Sequence, residues 1–221
     1  MMFRSVGLAL VAVFVAACGN SGTAPSQSGS TMTFFVTSSR STTGNFSGLR
    51  GADSLCQNLA NAAGVGNKAW RAYLSVERDA DNGNRPTDAR SRIGIGPWFN
   101  AEGAMVAGNL TELHTRTGDS TMFIDERGRP VNGQWSGSPS PVEHDIMTGS
   151  AADGTVLAGL TCGDWTSDST TTRGQVGHSD GLGPGGNTAG ALSSWNSAHS
   201  NRNCANTAPG GGAGRIYCFA R

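Results

Sequence analysis

Residues 177–181, Gly-His-Ser-Asp-Gly, match the pattern G-x-S-x-G. In α/β-hydrolases this pattern places a nucleophilic serine on a sharp turn between a buried strand and a helix. Here Leu-Gly-Pro-Gly-Gly follows, and these residues cannot begin such a helix. Between Ser179 and the one downstream histidine, His199, the only acid is the adjacent Asp180. The pattern therefore favours a loop over a hydrolase site, and we expect no enzymatic activity. The overlapping G-x-G-x-x-G at residues 181–186 lacks a strand–helix unit and also predicts a loop.

A group of oxygen-bearing side chains lies in the turn Asp79-Ala-Asp-Asn-Gly-Asn84. Alternating oxygen ligands followed by a glycine are typical of calcium loops. The twelfth position of such a loop usually holds a bidentate glutamate, and here it holds Arg90. Two interpretations stay open: a calcium site made by Asp79, Asp81 and Asn84, or a solvated polar turn, which is the commoner case.

The long segment between Cys162 and Cys204 is rich in Gly, Ser, Thr and Asn. A loop of this length without regular structure is either functional or disordered, and cysteines at its base favour an ordered one. Most of the tryptophans, at positions 70, 98, 135, 165 and 195, are expected in the core, and any of them that is exposed in this loop would be a binding anchor. A further pair, His144-Asp145, either orients an imidazole for chemistry or caps a turn. The residues predicted to contact a ligand are Trp165, Arg173, His178, Asp180, Trp195 and His199.

The five cysteines divide into one near the N-terminus, Cys18, and four in the rest of the chain. An even number in an exported protein predicts disulfides, and four cysteines allow three pairings. A zinc site built on them is the competing interpretation, but there is no C-x-x-C and no closely spaced Cys/His pair. The predicted disulfide cysteines are Cys56, Cys162, Cys204 and Cys218.

The N-terminus has the pattern of a bacterial lipoprotein signal. One positive charge, Arg4, precedes an apolar stretch over residues 6–17 that is too short to span a bilayer. The stretch ends in Val-Ala-Ala-Cys18, which fits a lipobox. We therefore predict a signal peptide over residues 1–17 and lipidation of Cys18, with an ordinary signal peptide as the alternative. The next residue is Gly19 rather than Asp, which favours sorting to the outer membrane.

The remaining chain is predicted to form a flexible tether over residues 18–31 and one domain over residues 32–221. The partner implied by the anchor is the membrane, and the localisation is the cell envelope. Sixteen basic and 16 acidic residues give a net charge of zero, so no overall field attracts nucleic acid, and we expect no nucleic-acid partner. The 33 glycines indicate many loops and turns.

Few segments have a clear periodicity. Leu55, Leu59 and Ala62 predict a helix over residues 52–63 that ends at Gly64. Alternation over 69–75 predicts a strand. Further predicted strands cover 32–37, 157–165 and 215–220, and 122–126 with 130–131 is a predicted hairpin. The expected fold class is α+β, with a mixed sheet, one main helix and long irregular loops.

Several of these segments together resemble a known family. The quoted matches are Gly48-Leu-Arg-Gly-Ala-Asp-Ser-Leu-Cys56, Trp70-Arg-Ala-Tyr-Leu-Ser75, Thr161-Cys-Gly-Asp-Trp165, Ser194-Trp-Asn-Ser197, Cys204 and Arg215-Ile-Tyr-Cys218. They resemble the endostatin domain of collagens and, more closely, bacterial endostatin-like lipoproteins, including the leptospiral endostatin-like proteins. The resemblance runs over residues 33–221 and is dense only at its two ends. It implies a C-type-lectin-like fold and the nested disulfides Cys56–Cys218 and Cys162–Cys204.

The functional implications of this resemblance are uneven. The leptospiral relatives are regarded as adhesins for host matrix proteins and complement regulators. Endostatin holds zinc near its N-terminus through histidines, but here the chain has no histidine before His114. Calcium-dependent lectins use Trp-Asn-Asp with a proline-centred triplet, whereas this chain has Trp195-Asn-Ser and no such triplet. Arg85, Arg90 and Arg92 form a local basic patch in a neutral chain, which weakens a heparin interpretation.

Three hypotheses follow. The first is a non-enzymatic, adhesin-like binding module on the cell surface for a protein or polysaccharide, with no cofactor unless the Asp79–Asn84 turn holds calcium. The second is a structural component of the envelope without an external ligand. The third, a hydrolase, requires a buried acid–histidine–serine pocket.

Overall fold

The computed structural model describes residues 1–2 and 30–221. The predicted signal peptide beyond Met2, the lipidation site Cys18 and the predicted tether up to residue 29 lie outside the described residues. Among the described residues, no helix is both long enough and apolar enough to cross a membrane.

The described part of the chain consists mainly of short elements joined by turns. The strands are β1 (Phe34–Val36), β2 (Trp70–Ala72), β3 (Val76–Asp79), β4 (Arg85–Thr87), β5 (Trp98–Phe99), β6 (Met105–Ala107), β7 (Asp145–Met147), β8 (Gln175–His178), β9 (His199–Ser200) and β10 (Gly212–Ala220). The helices are α1 (Gly48–Ala62), α2 (Ala89–Arg92), α3 (Leu110–Thr115) and α4 (Cys162–Trp165). Three short 3₁₀ turns cover Ala80–Asn82, Pro184–Gly186 and Gly190–Ser193.

The central sheet has the order β1-β10-β7-β8-β9, and β2 also pairs with β10. β10 runs parallel to β7 and antiparallel to β1 and β2, while the β7–β8 and β8–β9 pairs are antiparallel. The sheet is therefore mixed. With a single helix longer than two turns in the described chain, the α+β prediction is confirmed.

Both faces of the central sheet are buried. Side chains alternate between the faces along a strand, so Cys218 of β10 enters one core while Tyr217 and Phe219 enter the other. Helix α1 covers the first face, where its buried residues include Cys56. The second core is aromatic and includes Phe34, Tyr73, Trp98, Phe123 and Trp195. Such double burial explains why β1 and residues 216–220 of β10 are apolar at every position.

Helix α1 confirms the predicted helix and begins four residues earlier than predicted, at Gly48. Its fully buried residues are Ala52, Cys56 and Ala60, while Leu55 and Leu59 pack at the edge of the core. Small side chains at the centre of the buried face allow the helix to lie close to the sheet. The predicted face is thus correct, but its centre is shifted by about one residue.

Two disulfides are present, with the nested pairing that the resemblance implied. Cys56–Cys218 joins α1 to β10 across 162 positions of sequence, and Cys162–Cys204 closes the base of the long loop. Cross-links over loops of this length typically contribute a few kcal/mol of stability.

Two predicted elements are wrong. Residues 157–165 form no strand, because a turn bonds Leu160 N to the Leu157 carbonyl and α4 begins at Cys162. Thr161 caps that helix by accepting a hydrogen bond from Asp164 N. The predicted hairpin at 122–131 reduces to a single bridge between Ile124 and Pro130.

Candidate functional site

Three of the four histidines and one aspartate meet at one edge of the central sheet. His144 precedes β7, Asp145 begins it, His178 ends β8 and His199 begins β9. The strand register accounts for the meeting, since Asp145 pairs with His178 and His199 pairs with Val176, two residues from His178. Strand pairing, and not proximity in sequence, builds this group, which we name the histidine cluster.

The polar tips of these four side chains converge on one small volume. The Oδ1 atom of Asp145 lies 3.4 Å from Nε2 of His144, 3.3 Å from that of His178 and 3.6 Å from that of His199. The Nε2 atoms of His178 and His199 are 3.0 Å apart. No hydrogen-bond donor within the described chain satisfies Asp145 Oδ1.

The other nitrogen of each ring is held by a hydrogen-bond acceptor. Nδ1 of His144 lies 2.7 Å from Asp180 Oδ1, and Nδ1 of His178 lies 2.8 Å from the Leu192 carbonyl. Nδ1 of His199 lies 3.0 Å from the Ser200 carbonyl. Because carbonyl and carboxylate oxygens only accept, each Nδ1 must carry the proton. The neutral form of each ring therefore directs an unprotonated Nε2 into the cluster.

The cluster is almost entirely buried. The side chains of His144, Asp145 and His178 have 3% or less of their surface exposed, whereas His199 has 37% exposed. The backbone at Gly211 covers the His144 ring closely enough that a Cβ atom there would lie 3.2 Å from the imidazole. Solvent therefore reaches the cluster only on the side of His199.

The charges within the cluster influence one another. Burial opposes ionisation of Asp145, but hydrogen bonds that His178 and His199 donate when Nε2 carries a proton, together with the charges of His199 and His144, outweigh it and lower the pKa of that carboxyl. The Asp145 carboxylate in turn raises the pKa of His199. Burial likewise opposes the charge on Asp180, and the contact with His144 lowers its pKa overall. Both carboxyl groups are therefore anionic near neutral pH.

Ser179, the candidate nucleophile of the G-x-S-x-G pattern, is buried beside this cluster. Its hydroxyl has no hydrogen-bond partner in the described chain, so no histidine activates it. Asp180 contacts His144 and accepts a hydrogen bond from Gln134 N at 2.6 Å. The acid–histidine pair is thus present without the serine that a hydrolase triad requires.

The predicted ligand-binding residues separate into two groups. His178, Asp180 and His199 come together in or beside the histidine cluster. Trp165 and Trp195 are completely buried, and their indole nitrogens donate to the carbonyls of Ser75 and Leu113. Arg173 is exposed at the base of the long loop. Both tryptophans are core residues, so neither is available as a surface anchor.

The predicted calcium turn lies at the tip of the β3–β4 hairpin. Asp79 accepts hydrogen bonds from Asp81 N at 2.9 Å and from the Thr87 hydroxyl at 2.8 Å. Both carboxylate oxygens of Asp81 contact the Arg50 guanidinium, and Asn84 takes a left-handed backbone conformation. Calcium binding at this turn would require breaking the two hydrogen bonds of Asp79 and the two contacts between Asp81 and Arg50.

A cavity of about 680 Å³ opens between α1, β2 and the β3–β4 hairpin, and we name it the charged groove. Asp53 lies in it and accepts hydrogen bonds from Nη1 of Arg71 and, at both carboxylate oxygens, from Nη2 of Arg92. A smaller cavity of about 230 Å³ adjoins it across the exposed Arg50–Asp81 ion pair. The charged residues that line the groove are Arg50, Asp53, Arg71, Asp79, Asp81, Arg92 and Arg221.

Sequence reasoning singled out each histidine of the cluster separately but did not combine them. Intervals of 34 residues between His144 and His178, and 21 between His178 and His199, match no short metal motif. The one available signal was that three of only four histidines lie within residues 144–199.

Comparison with known proteins adds no assignment. No protein-family model matches the chain, and a search of the curated proteins finds no significant match.

Proposed function

We propose that the chain is a lipoprotein of the bacterial outer membrane whose domain is a non-enzymatic binding module for an extracellular protein or polysaccharide. The observation that carries this proposal is the charged groove, an open cavity lined by charges of both signs. Its described lining contains no histidine or cysteine. Such a surface suits recognition of a polar polymer rather than catalysis on a small substrate.

The groove favours a ligand of mixed or neutral charge. Arg92 and Asp53 are paired and largely buried, so they form its floor. Arg50 and Asp81 are exposed and bind each other only across the surface, where an ion pair contributes little stability. Both side chains can therefore leave each other and bind a ligand with little loss of stability.

Within the α+β class, we propose an endostatin-like, C-type-lectin-like fold. Helix α1 carries Cys56 and leads directly to β2, and the two disulfides are nested. These features support the resemblance at both ends of the domain. The proposed anchor depends on Cys18, and mass spectrometry of the membrane-extracted protein should find lipid on that residue in the wild type and none in Cys18→Ser.

The binding proposal is tested with the purified, oxidised chain against a panel of glycans, matrix proteins and cell-wall polymers, with calcium and with EDTA. The double variant Arg50→Ser/Asp81→Ser removes the exposed pair without changing net charge. Arg202→Ser, an exposed arginine that does not line the groove, is the matched control. We expect saturable binding that the double variant weakens at least tenfold and the control leaves unchanged.

Binding that EDTA abolishes and calcium restores would assign the Asp79–Asn84 turn as a metal site. Equal binding by the double variant and the wild type would remove the groove from the proposal. The absence of any saturable binding would overturn the binding module itself.

A structural envelope component is the second candidate. The observation in its favour is the surface of the long loop, where both tryptophans are buried and residues 184–191 expose only Pro, Gly, Asn, Thr and Ala. This candidate predicts no external ligand but cross-linking to other envelope components in intact cells.

A further inference from the structure

The histidine cluster holds hydrogen-bond acceptors that face one another. With each Nδ1 bound to an oxygen, His144, His178 and His199 present bare Nε2 atoms to the Asp145 carboxylate. Buried polar groups are almost always paired, because an unpaired one costs free energy in a medium of low dielectric constant. Four acceptors around one point therefore call for a positive charge at that point.

A single proton satisfies this requirement only in part. A proton on Nε2 of His199 would pair that ring with Asp145 Oδ1 or with His178 Nε2, which lie 3.6 Å and 3.0 Å away. Nε2 of His144 would still face acceptors only, since its Nδ1 proton is committed to Asp180. A cation that binds all four atoms removes every one of these conflicts.

We propose that the histidine cluster is a zinc site with His144, Asp145, His178 and His199 as ligands. Three imidazoles and one carboxylate are donors that zinc accepts in a tetrahedral arrangement. A tetrahedral zinc ion with bonds of about 2.0–2.1 Å sets its ligand atoms about 3.3 Å apart. Four of the six ligand separations, at 3.0, 3.3, 3.4 and 3.6 Å, lie around that value, and the ligand atoms of His144, Asp145 and His178 all lie within 4.8 Å of one another. The Nε2 atom of the half-exposed His199 lies farther than this from the His144 ligand atom, so its ring would turn towards His144 to complete the tetrahedron.

The atoms behind the ligands support the same assignment. Histidines that bind a metal commonly donate their other ring nitrogen to a carboxylate or a backbone carbonyl, which orients the ring. His144 donates to the Asp180 carboxylate, and the other two rings donate to the Leu192 and Ser200 carbonyls. Asp180 is thus a positioning residue for His144.

The site has the character of a structural zinc centre. Four protein ligands fill a tetrahedron and leave no position for substrate or water, unlike catalytic sites with three protein ligands. The ligands lie on or directly next to three adjacent strands, β7, β8 and β9, so the ion joins the edge strand β9 to the centre of the sheet. Zinc therefore fastens the end of the long loop that Cys162–Cys204 closes at its base. This inference is independent of the binding proposal for the charged groove.

The test uses the oxidised chain after removal of metal with EDTA and exchange into metal-free buffer. Calorimetric titration with zinc chloride should show one ion per chain, and elemental analysis of the repurified protein should agree. Substitution with cobalt(II) should give the visible absorption of a tetrahedral site. X-ray absorption at the zinc edge should find three imidazole ligands.

Three variants make the test specific. His199→Ala removes the half-exposed ligand and should lower zinc affinity at least 100-fold, beyond the 10–100-fold loss usual for outer partners. Asp180→Asn should lower it by 10–100-fold. His114→Gln changes the one histidine outside the cluster and should leave affinity and stoichiometry unchanged.

The proposal is overturned by a stoichiometry far below one or by equal affinity in the wild type and His199→Ala. Fewer than two imidazoles in the absorption spectrum of the wild type would overturn it as well, and that measurement does not depend on whether any variant folds.

Discussion

His114 and the histidine cluster use imidazole in two different ways. In both regions Nδ1 donates to an oxygen, which for His114 is the Leu110 carbonyl at 2.7 Å. The difference lies at Nε2. His114 accepts a hydrogen bond there from the Tyr73 hydroxyl at 2.9 Å, whereas the Nε2 atoms of the cluster face only acceptors. A histidine that serves packing receives a donor, and the lack of one in the cluster indicates a cation.

The largest effect expected from this comparison is stabilisation by zinc. At a free zinc concentration 1,000 times the dissociation constant, binding to the folded state adds about 4 kcal/mol to the free energy of unfolding. Thermal unfolding with zinc and with EDTA measures it. His114→Gln should retain the increase and His199→Ala should lose it, and an equal increase in both variants would contradict the distinction between the regions.

Substituting alanine for a glycine beside each region tests the same difference between His114 and the histidine cluster. A Cβ on Gly154 would lie 2.3 Å from Nε2 of His114, and one on Gly211 would lie 3.2 Å from the His144 ring. Both have positive φ, so alanine also pays a backbone cost there. We expect Gly154→Ala to cost about 3 kcal/mol from overpacking and backbone strain together, and Gly211→Ala about 2 kcal/mol.

The control is Gly83→Ala, which has positive φ and no atom within 4 Å of the added Cβ, and it should cost about 1 kcal/mol. Denaturant titration in EDTA gives the three values. Zinc titration separates the regions, since only Gly211→Ala should weaken zinc binding. Weaker zinc binding in Gly154→Ala would break the comparison.

Tyr73→Phe removes the donor that distinguishes His114 from the cluster. The hydroxyl is buried, donates to His114 Nε2 and accepts from Asn196 Nδ2 at 3.0 Å. Its loss leaves a buried acceptor unpaired, so we expect a destabilisation of about 1–2 kcal/mol in denaturant titration. Zinc affinity should not change, because Tyr73 contacts no member of the cluster through its hydroxyl.

The smallest effect is a pH dependence due to His114. Burial lowers its pKa, with opposing contributions from the Leu110 carbonyl and Asp153 and a reinforcing one from Arg90. Since the folded-state pKa lies below the unfolded value of about 6.5, His114 contributes stability above that pH, and this contribution is lost as pH falls.

The measurement is the difference in unfolding free energy between wild type and His114→Gln from pH 8 to 5, in EDTA. The wild-type advantage should shrink towards low pH. An advantage that grows there would show that His114 is stabilised in its charged form.

The fold was predictable where periodicity is local. Helix α1 and strand β10 follow from apolar repeats and from a cysteine on each. The structure of residues 157–165 was not predictable in this way. Its apolar residues suggest a strand, but a turn closed by Leu160 N and the Leu157 carbonyl and the capped helix α4 take its place. Trp165 and Trp195 lie in the core, as expected for most of the tryptophans, so their predicted role as exposed ligand contacts is wrong.

The site was predictable as a list of residues but not as a cluster. The Asp79–Asn84 turn matches a local pattern, and its oxygens are used in local hydrogen bonds and one exposed ion pair. His144, His178 and His199 match no local pattern, and strand pairing brings them together. Ligand sets that depend on register are invisible until the order of strands is known.

Strand β10 imposes an order of events on the newly made protein. It pairs with β1, β2 and β7, all of which precede it in the chain, and it carries Cys218 opposite Cys56. The centre of the sheet therefore stays vacant until residues 212–220 are available. A product that stops before residue 212 lacks the strand that joins β1, β2 and β7 and the cysteine that pairs with Cys56.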